Sequence, residues 1–476
     1  MGTDRIEPGA VIDGYRLEER IHQGSMATLW RVSAPGEPML VMKMPLLREG
    51  DEPTAMVGFE VEQMIMPTLQ GRHVPLFIAA GDFSAHPYIV MEYIRGDSLR
   101  TSLDRTPLGD DAVARIGEQI ATALHSLHRQ HVIHLDLKPS NVMFRDTGEA
   151  LLIDFGLSRH DRLPDLLAEQ FRLPMGTAPY ISPEQVLRIR NDPRSDIFAL
   201  GAVLYHLITG QRAFGFPTTI TGLRKRLYRD PVPPRARNPR CPAWLQEVIL
   251  RCLEPDPRER YQSAAQVVLA LRTPGQVPLT ERARKLRQDG FAAMTHRWMR
   301  SLGTQGEAWQ STAVQIARSP VVVVALDVFG STEALLAGIR TTAERVLSMH
   351  PGARLACVTV LRTSRIAMDL TVDEEGRNAR VLRLVELKDW ARPLGLADGR
   401  LTYHVLEAPD PAPVLVDFVR QNHVDHLVIG ARGASPLRRY LGSVSAHVVA
   451  ECPCTVTVVR VPQPAEEQEE REAEAS

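Results

Sequence analysis

The chain has 476 residues, too many for one ordinary hydrophobic core, so roughly two to four structural units are expected. A formal net charge of −1 gives no global attraction to nucleic acid or to an acidic membrane, and five cysteines, an odd number in so long a chain, do not make a disulfide framework. Cys452-Pro453-Cys454 is too short and isolated for a zinc site, Met1–Ile6 lacks the apolar core of a signal peptide and departs at Ile6 from a myristoylation signal, and no apolar run reaches the about 18 residues of a membrane span; a cytoplasmic protein is expected.

In chain order, residues 1–14 form a lead-in. Strand-like runs follow at Tyr15–Ile21, Leu29–Val32, Met39–Met44 and Tyr88–Glu92. Helical periodicity then covers Asp110–Arg129, Asp196–Thr209, Ala243–Cys252 and Ser263–Leu271. This predicts a small sheet-rich lobe ahead of a larger helical lobe, together spanning 15–272. Thr273–Pro278 breaks the pattern, and 273–318 reads as a helical linker. Leu286, Phe291, Met294 and Trp298 fall near helical spacing within it, for packing on one neighbour or, less in keeping with Glu281 and Asp289, for lying on a membrane surface. From 319 to 462 strands and helices alternate. Strands are predicted at Val321–Ala325, Leu355–Leu361, Leu401–Leu406, His426–Ile429 and Thr455–Val461, with helices at Ser331–Met349, Pro413–Asn422 and Ser445–Glu451. That alternation predicts a parallel α/β sheet. The Glu-rich 463–476 tail is expected to be disordered.

His134-Leu135-Asp136-Leu137-Lys138-Pro139-Ser140-Asn141, followed thirteen residues after Asn141 by Asp154-Phe155-Gly156, carries the chemistry. It places a carboxylate, a lysine and an amide on one loop and a second carboxylate just downstream. Phosphoryl transfer needs that set: an orienting group for the attacking hydroxyl, and oxygen ligands for magnesium on nucleotide phosphates. The segment resembles the catalytic core of bacterial and eukaryotic-type Ser/Thr protein kinases. The resemblance implies an α+β bilobal kinase fold and ATP with Mg2+ (or Mn2+) as cofactors. It makes Asp136 and Lys138 catalytic, and Asn141 and Asp154 metal ligands. Lys43 would neutralise the α- and β-phosphates, with Glu62 as its ion-pair partner and Glu60 as the competing one. Ile21, Gly24 and Leu29 would cover the nucleotide, and Met91, Glu92 and Ile94 would form the hinge beside adenine. Gly176–Glu184 is similar to the segment that docks a protein substrate, with Arg260 placed to pair with Glu184 and Asp196 to brace the catalytic loop.

Two departures stand out. The phosphate-covering loop Ile21–Leu29 keeps only Gly24, with His22 and Ala27 where the family has glycine. This raises the alternative of a weak kinase or an inactive, nucleotide-binding pseudokinase scaffold. A small-molecule phosphotransferase is a third reading, disfavoured by the Lys138-Pro139-Ser140 context and the docking segment. Second, Leu135 stands where many kinases carry arginine, and no Ser, Thr or Tyr occurs between Arg159 and Gly176. An arginine to receive a phosphate and a residue to carry one are absent together, so activity is expected not to need phosphorylation in that stretch.

Gly430-Ala-Arg-Gly433 and, eight residues on, Gly442-Ser443-Val444-Ser445 follow an apolar strand and open a helix, a pattern suited to wrapping phosphates. With Asp327 ending the first strand, 319–461 resembles the ATP-binding branch of the universal stress protein family. The resemblance implies Asp327 near ribose and adenine, Val360 near adenine, and Gly430, Gly433, Gly442, Ser443 and Val444 near phosphates. The family usually has nine residues between the two glycine clusters, so a ligand-free dimerising module is the alternative. Asp327 could equally cap the helix starting near Ser331. The family often dimerises through its last strand, which implies a homodimer.

Overall fold

A computed structural model describes residues 7–46, 53–290, 295, 297 and 320–460, apart from Ser25, Ser84, Ala85, Phe329, Pro351 and the stretches 364–377, 397–399 and 432–441. Six antiparallel strands come first: β1 (Val11–Ile12), β2 (Tyr15–Gln23), β3 (Ala27–Ser33), β4 (Leu40–Pro45), β5 (Phe77–Gly81) and β6 (Tyr88–Glu92), in spatial order β1-β2-β3-β4-β6-β5. Side chains alternate along a strand, so Leu40, Met42 and Met44 turn one way and join Leu17, Trp30, Val32 and Val90 in a small core. Lys43 turns the other way. The register sets Leu29 and Ile89 opposite Lys43, and Met91 opposite Val41, so these residues share its face. Helix α1 (Pro53–Ile65) follows β4 in the chain.

The second lobe is built on α2 (Asp110–Arg129). The short strands β7 (Val132–Ile133), β8 (Val142–Phe144), β9 (Ala150–Leu152) and β10 (Arg159–His160) frame two loops, as β7 pairs β10 and β8 pairs β9. Next come α3 (Leu166–Gln170), α4 (Pro183–Val186), α5 (Arg194–Thr209), α6 (Ile220–Arg224), α7 (Pro234–Arg237), α8 (Ala243–Cys252), α9 (Ala264–Arg272) and α10 (Glu281–Arg284). Beyond its first residue α5 is buried on every side, as an all-round apolar helix must be. Gly201 within it lets α8 approach: a β-carbon there would lie 2.6 Å from Cys252 Cβ.

The helical expectation for the linker fails at 285–290. Helix α10 ends at Arg284 because Gln246 Nε2, fully buried, donates to the carbonyls of Arg282 (2.7 Å) and Lys285 (2.8 Å), while Lys285 Nζ reaches Asp230 (2.7 Å). Tertiary partners for the backbone override local propensity. Phe291, Met294 and Trp298 lie outside the described residues.

The C-terminal domain is a five-stranded, all-parallel sheet: β11 (Val321–Ala325), β12 (Arg354–Arg362), β13 (Leu401–Ala408), β14 (His426–Gly430) and β15 (Thr455–Val459), in order β13-β12-β11-β14-β15. Both faces are covered, which explains the continuous valine run of β11. Val322 and Val324 pack with Leu335, Ile339 and Ala343 of the Glu333–Met349 helix, whereas Val323 and Ala325 pack with Leu415 and Val419 of the Pro411–Gln421 helix. The fold is thus a bilobal α+β unit followed by a doubly covered parallel α/β domain. Among the described residues no helix is long and apolar enough to cross a membrane.

Candidate active site

The two lobes meet at Lys43. Its ammonium lies 2.5 Å from Glu62 Oε2 and 3.0 Å from Asp154 Oδ1, joining β4, α1 and the segment after β9. Burial alone would lower the Lys43 pKa, but the carboxylates of Asp154 and Glu62 overcome it and raise the value. Lys43 in turn holds Asp154 down to about 2. Glu60, the competing partner, points elsewhere: two residues along a helix is about 200°, so Glu60 and Glu62 occupy opposite faces of α1. The Lys43 bond uses one oxygen of Asp154, whose side chain stays 41% exposed.

The catalytic loop hangs from Asp196, fully buried at the start of α5. Its carboxylate accepts from His134 N (2.9 Å), Leu135 N (2.9 Å) and His128 Nε2 (2.8 Å). Burial pushes its pKa up, but these donors win and hold it below the ordinary value. The tether fixes Leu135 at φ +59°, an unfavourable backbone for a non-glycine residue. Asp154 is held similarly, at φ +69°. His134 braces the loop as expected, its ring packed at a tilt against Phe155 with 5.5 Å between ring centres, while its backbone carbonyl takes a hydrogen bond from Ser158 Oγ (3.0 Å).

Asp136 is the centre of the loop. Lys138 Nζ donates to Oδ2 at 2.6 Å, and Thr177 donates to Oδ1 from both its backbone N (2.9 Å) and its hydroxyl (2.6 Å). Asn141 Nδ2 bonds to Asp136 O (3.1 Å) and Oδ2 (3.3 Å). With its amide nitrogen so engaged, Asn141 turns its carbonyl oxygen the other way, where it accepts from Ser140 Oγ at 3.3 Å and keeps a second lone pair. An amide oxygen and the carboxylate of Asp154 are hard oxygen donors that fit magnesium or manganese. Glu184, closing the docking segment, pairs with Arg260 at 2.7 Å, both within 1% of complete burial.

The cleft face of the sheet carries Leu29, Lys43 and Met91 together through register. Ile21 sits at the β2 bulge and is 43% exposed. Gly24 closes the hairpin by donating its N–H to Ala27 O (2.9 Å). Neither His22 nor Ala27 has positive φ, so the two missing glycines cost the loop no backbone strain. Glu92 uses its side chain structurally: Arg145 binds it at 2.5 and 2.9 Å and holds its carboxyl below the usual range. Ile94 follows β6 and is half-buried. The bonds from Thr177 to Asp136 and from Arg145 to Glu92 carry no sequence signal, since each spans more than 40 residues.

In the C-terminal domain, Asp327, Val360, Gly430, Gly442, Ser443 and Val444 line one cavity of about 220 Å3. It lies at the C-terminal ends of β11, β12 and β14, where open α/β sheets bind ligands. Gly433 is outside the described residues. Asp327 is not the N-cap of the Glu333–Met349 helix. Thr332 accepts from Leu335 N in that role, and Asp327 Oδ1 accepts from Gly330 N at 3.0 Å. Gly430 has a packing reason of its own, since a β-carbon there would lie 3.0 Å from Ile339 Cδ1.

Comparison with known proteins accords with this geometry. Residues 15–270 match the family model described as protein kinase domain, and 320–460 match that of the universal stress protein family. Serine/threonine-protein kinase PknB of Mycobacterium tuberculosis is 35% identical over 182 residues, 38% of this chain and 29% of PknB. Serine/threonine-protein kinase PknL of the same organism is 30% identical over 264 residues, 55% of this chain and 65% of PknL. A probable serine/threonine-protein kinase of Clostridium perfringens, CPE1738, is 30% identical over 211 residues, 44% of this chain and 30% of its own length. The chain therefore spans less than two thirds of the relatives it matches.

Proposed function

The chain belongs to the protein kinase family, and on that premise we propose that it is a cytoplasmic serine/threonine kinase moving the γ-phosphoryl of ATP to a Ser or Thr hydroxyl of a protein. The substrate oxygen bonds to the γ-phosphorus as the bond to the ADP oxygen breaks, and Asp136 receives the hydroxyl proton. Lys138 stabilises charge on the transferring group, and Lys43 neutralises the remaining phosphates. Asn141 and Asp154 would hold Mg2+ or Mn2+, which neutralises phosphate charge when bound. Lys138 in Asp-Leu-Lys-Pro-Ser-Asn, and the names of the relatives, favour Ser and Thr over Tyr.

The observation that carries this reading is Asp136 held at one oxygen by Lys138 and at the other by Thr177 of the docking segment. Base, phosphate-stabilising cation and substrate-binding loop are thereby in mutual register. The ordinary backbone angles at His22 and Ala27 and the complete charge set leave no observation favouring the inactive scaffold. The test is radiolabelled γ-phosphoryl transfer with magnesium to itself and to a generic basic protein. Asp136→Asn and Asp154→Asn are expected to abolish it; transfer that survives both substitutions would overturn the assignment.

The cavity around Asp327 is read as a second adenine-nucleotide site, and β15, an edge strand, as the surface for a homodimer. Nucleotide retained by a Lys43→Met chain and lost on adding Asp327→Ala would support the second site.

A further inference from the structure

The segment between β10 and the docking loop does not stand free. Helix α3 is anchored at its N-terminus inside the kinase lobe, where Arg190 Nε binds the N-cap Asp165 at 3.0 and 3.2 Å. Its far end enters the C-terminal domain. Glu169 is clamped by Arg354 in a two-bond fork (2.6 and 3.0 Å) and lies 3.2 Å from the fully buried His404 Nε2. Thr402 Oγ1 lies within hydrogen-bond distance of both Arg354 and His404, so the clamp is itself held in β13. Beside it, Gln170 Nε2 donates to Val405 O (2.7 Å) and Asn422 Nδ2 to Glu169 O (3.3 Å).

Helix α3 also packs against α1, the helix that carries Glu62. The outer face of α1 reaches the same domain. Glu60, mostly buried, lies 3.9 Å from Lys388 Nζ, and Lys388 sits over the Phe83 and Tyr403 rings at 4.7 and 5.7 Å. Thus α1 faces Lys43 on one side and the C-terminal domain on the other. In a stretch with no Ser, Thr or Tyr between Arg159 and Gly176, the anion that organises the segment is a carboxylate already encoded in the chain.

We propose that Glu169, with Arg354 and His404, and the Glu60–Lys388 contact form a brace through which the C-terminal domain positions α3 and α1, and so the Lys43–Glu62 pair, for phosphoryl transfer. Glu169, Arg354 and Lys388 are positioning residues; none touches the reacting atoms. The brace rests on the kinase reading above, and it makes the second domain part of the working site without phosphorylation of the segment. Bidentate arginine–carboxylate geometry suits this role because it fixes orientation as well as distance.

The test uses the full chain with Glu169→Gln, Arg354→Gln, their double variant and Lys388→Met. Initial rates of phosphoryl transfer and amide hydrogen exchange of α1 and α3 are measured on each. Each single variant is expected to lower kcat about tenfold, the size of an ordinary coupling between sites, with KM for ATP within about twofold of wild type. The double variant should be no slower than either single one at the clamp, because both remove the same fork. Exchange should rise in α3 and α1 together. Unchanged kcat and unchanged exchange in folded variants would overturn the brace. A wild-type chain without any transfer would refute the kinase reading instead. The exchange data would still decide the brace: protection of α1 that is indifferent to Glu169→Gln would refute it.

Discussion

Asp196→Asn is the sharpest way to ask whether the buried tether of the catalytic loop matters as the structure implies. The native carboxylate accepts three hydrogen bonds, two at Oδ2 from His134 N and His128 and one at Oδ1 from Leu135 N. Asparagine keeps one acceptor oxygen. If it serves the two donors at Oδ2, the amide nitrogen faces Leu135 N–H, donor against donor. That leaves a buried N–H unsatisfied, at about 1–3 kcal/mol, and removes charge assistance from two more bonds at about 1 kcal/mol each. The total loss of stability is about 3–5 kcal/mol. A functional loss follows, because Leu135 at φ +59° no longer has the bond that holds its strained backbone, and Asp136 is the next residue. A shift of about 1 Å at Asp136 would lower kcat roughly 10²-fold. Urea unfolding of the full chain and initial-rate kinetics over a range of ATP concentrations measure both. A variant within about 1 kcal/mol of wild type and with unchanged kcat would refute the reasoning.

Gly201→Ala should lower the melting temperature, because the new β-carbon meets Cys252 Cβ at 2.6 Å and Leu253 Cγ at 3.1 Å. Overpacking costs about 1–3 kcal/mol against about 1 kcal/mol gained in helix propensity, and an unchanged melting point would count against the packing of α5 on α8. Burial opposes ionisation of Glu169, but His404 and Arg354 hold its carboxyl down to about 2 against an ordinary 4.5. A depressed folded-state value means that this contact stabilises fully above about pH 4.5 and fades as pH falls through about 2, a difference of about 3 kcal/mol. The unfolding free energy of wild type minus that of Glu169→Gln should therefore shrink over that acid window; a pH-independent difference would rule the linkage out.

Much of the site was legible because kinase chemistry is written locally. Asp136, Lys138 and Asn141 lie on one loop and Asp154 on the next, so their spacing marks them as one candidate set. The valine run of β11 and the strand–helix alternation after residue 319 likewise declare a doubly covered parallel sheet, since period and burial are local properties. Glu62 was the expected partner of Lys43 with Glu60 competing, and Glu62 is the one that pairs with Lys43 in the structure, although local pattern alone does not separate the two. Both are glutamates on one helix, and only the rotation of α1 against β4 decides which meets Lys43. The linker reads as helix by composition, yet Gln246, 36 residues before Arg282, captures its backbone, and Asp230, 55 residues before Lys285, captures its side chain.

The sequence by itself determined the family and the order of the two matched regions, because motif spacing and hydrophobic period act over a few residues. Only the tertiary structure decided that Thr177 binds Asp136, that the missing loop glycines cost no strain, and that Glu169 is held by Arg354 and His404 of the second domain. Each of those contacts joins residues far apart in the chain or depends on a backbone angle. A side chain's type states what it can bind, and the packed fold alone brings the partner within reach.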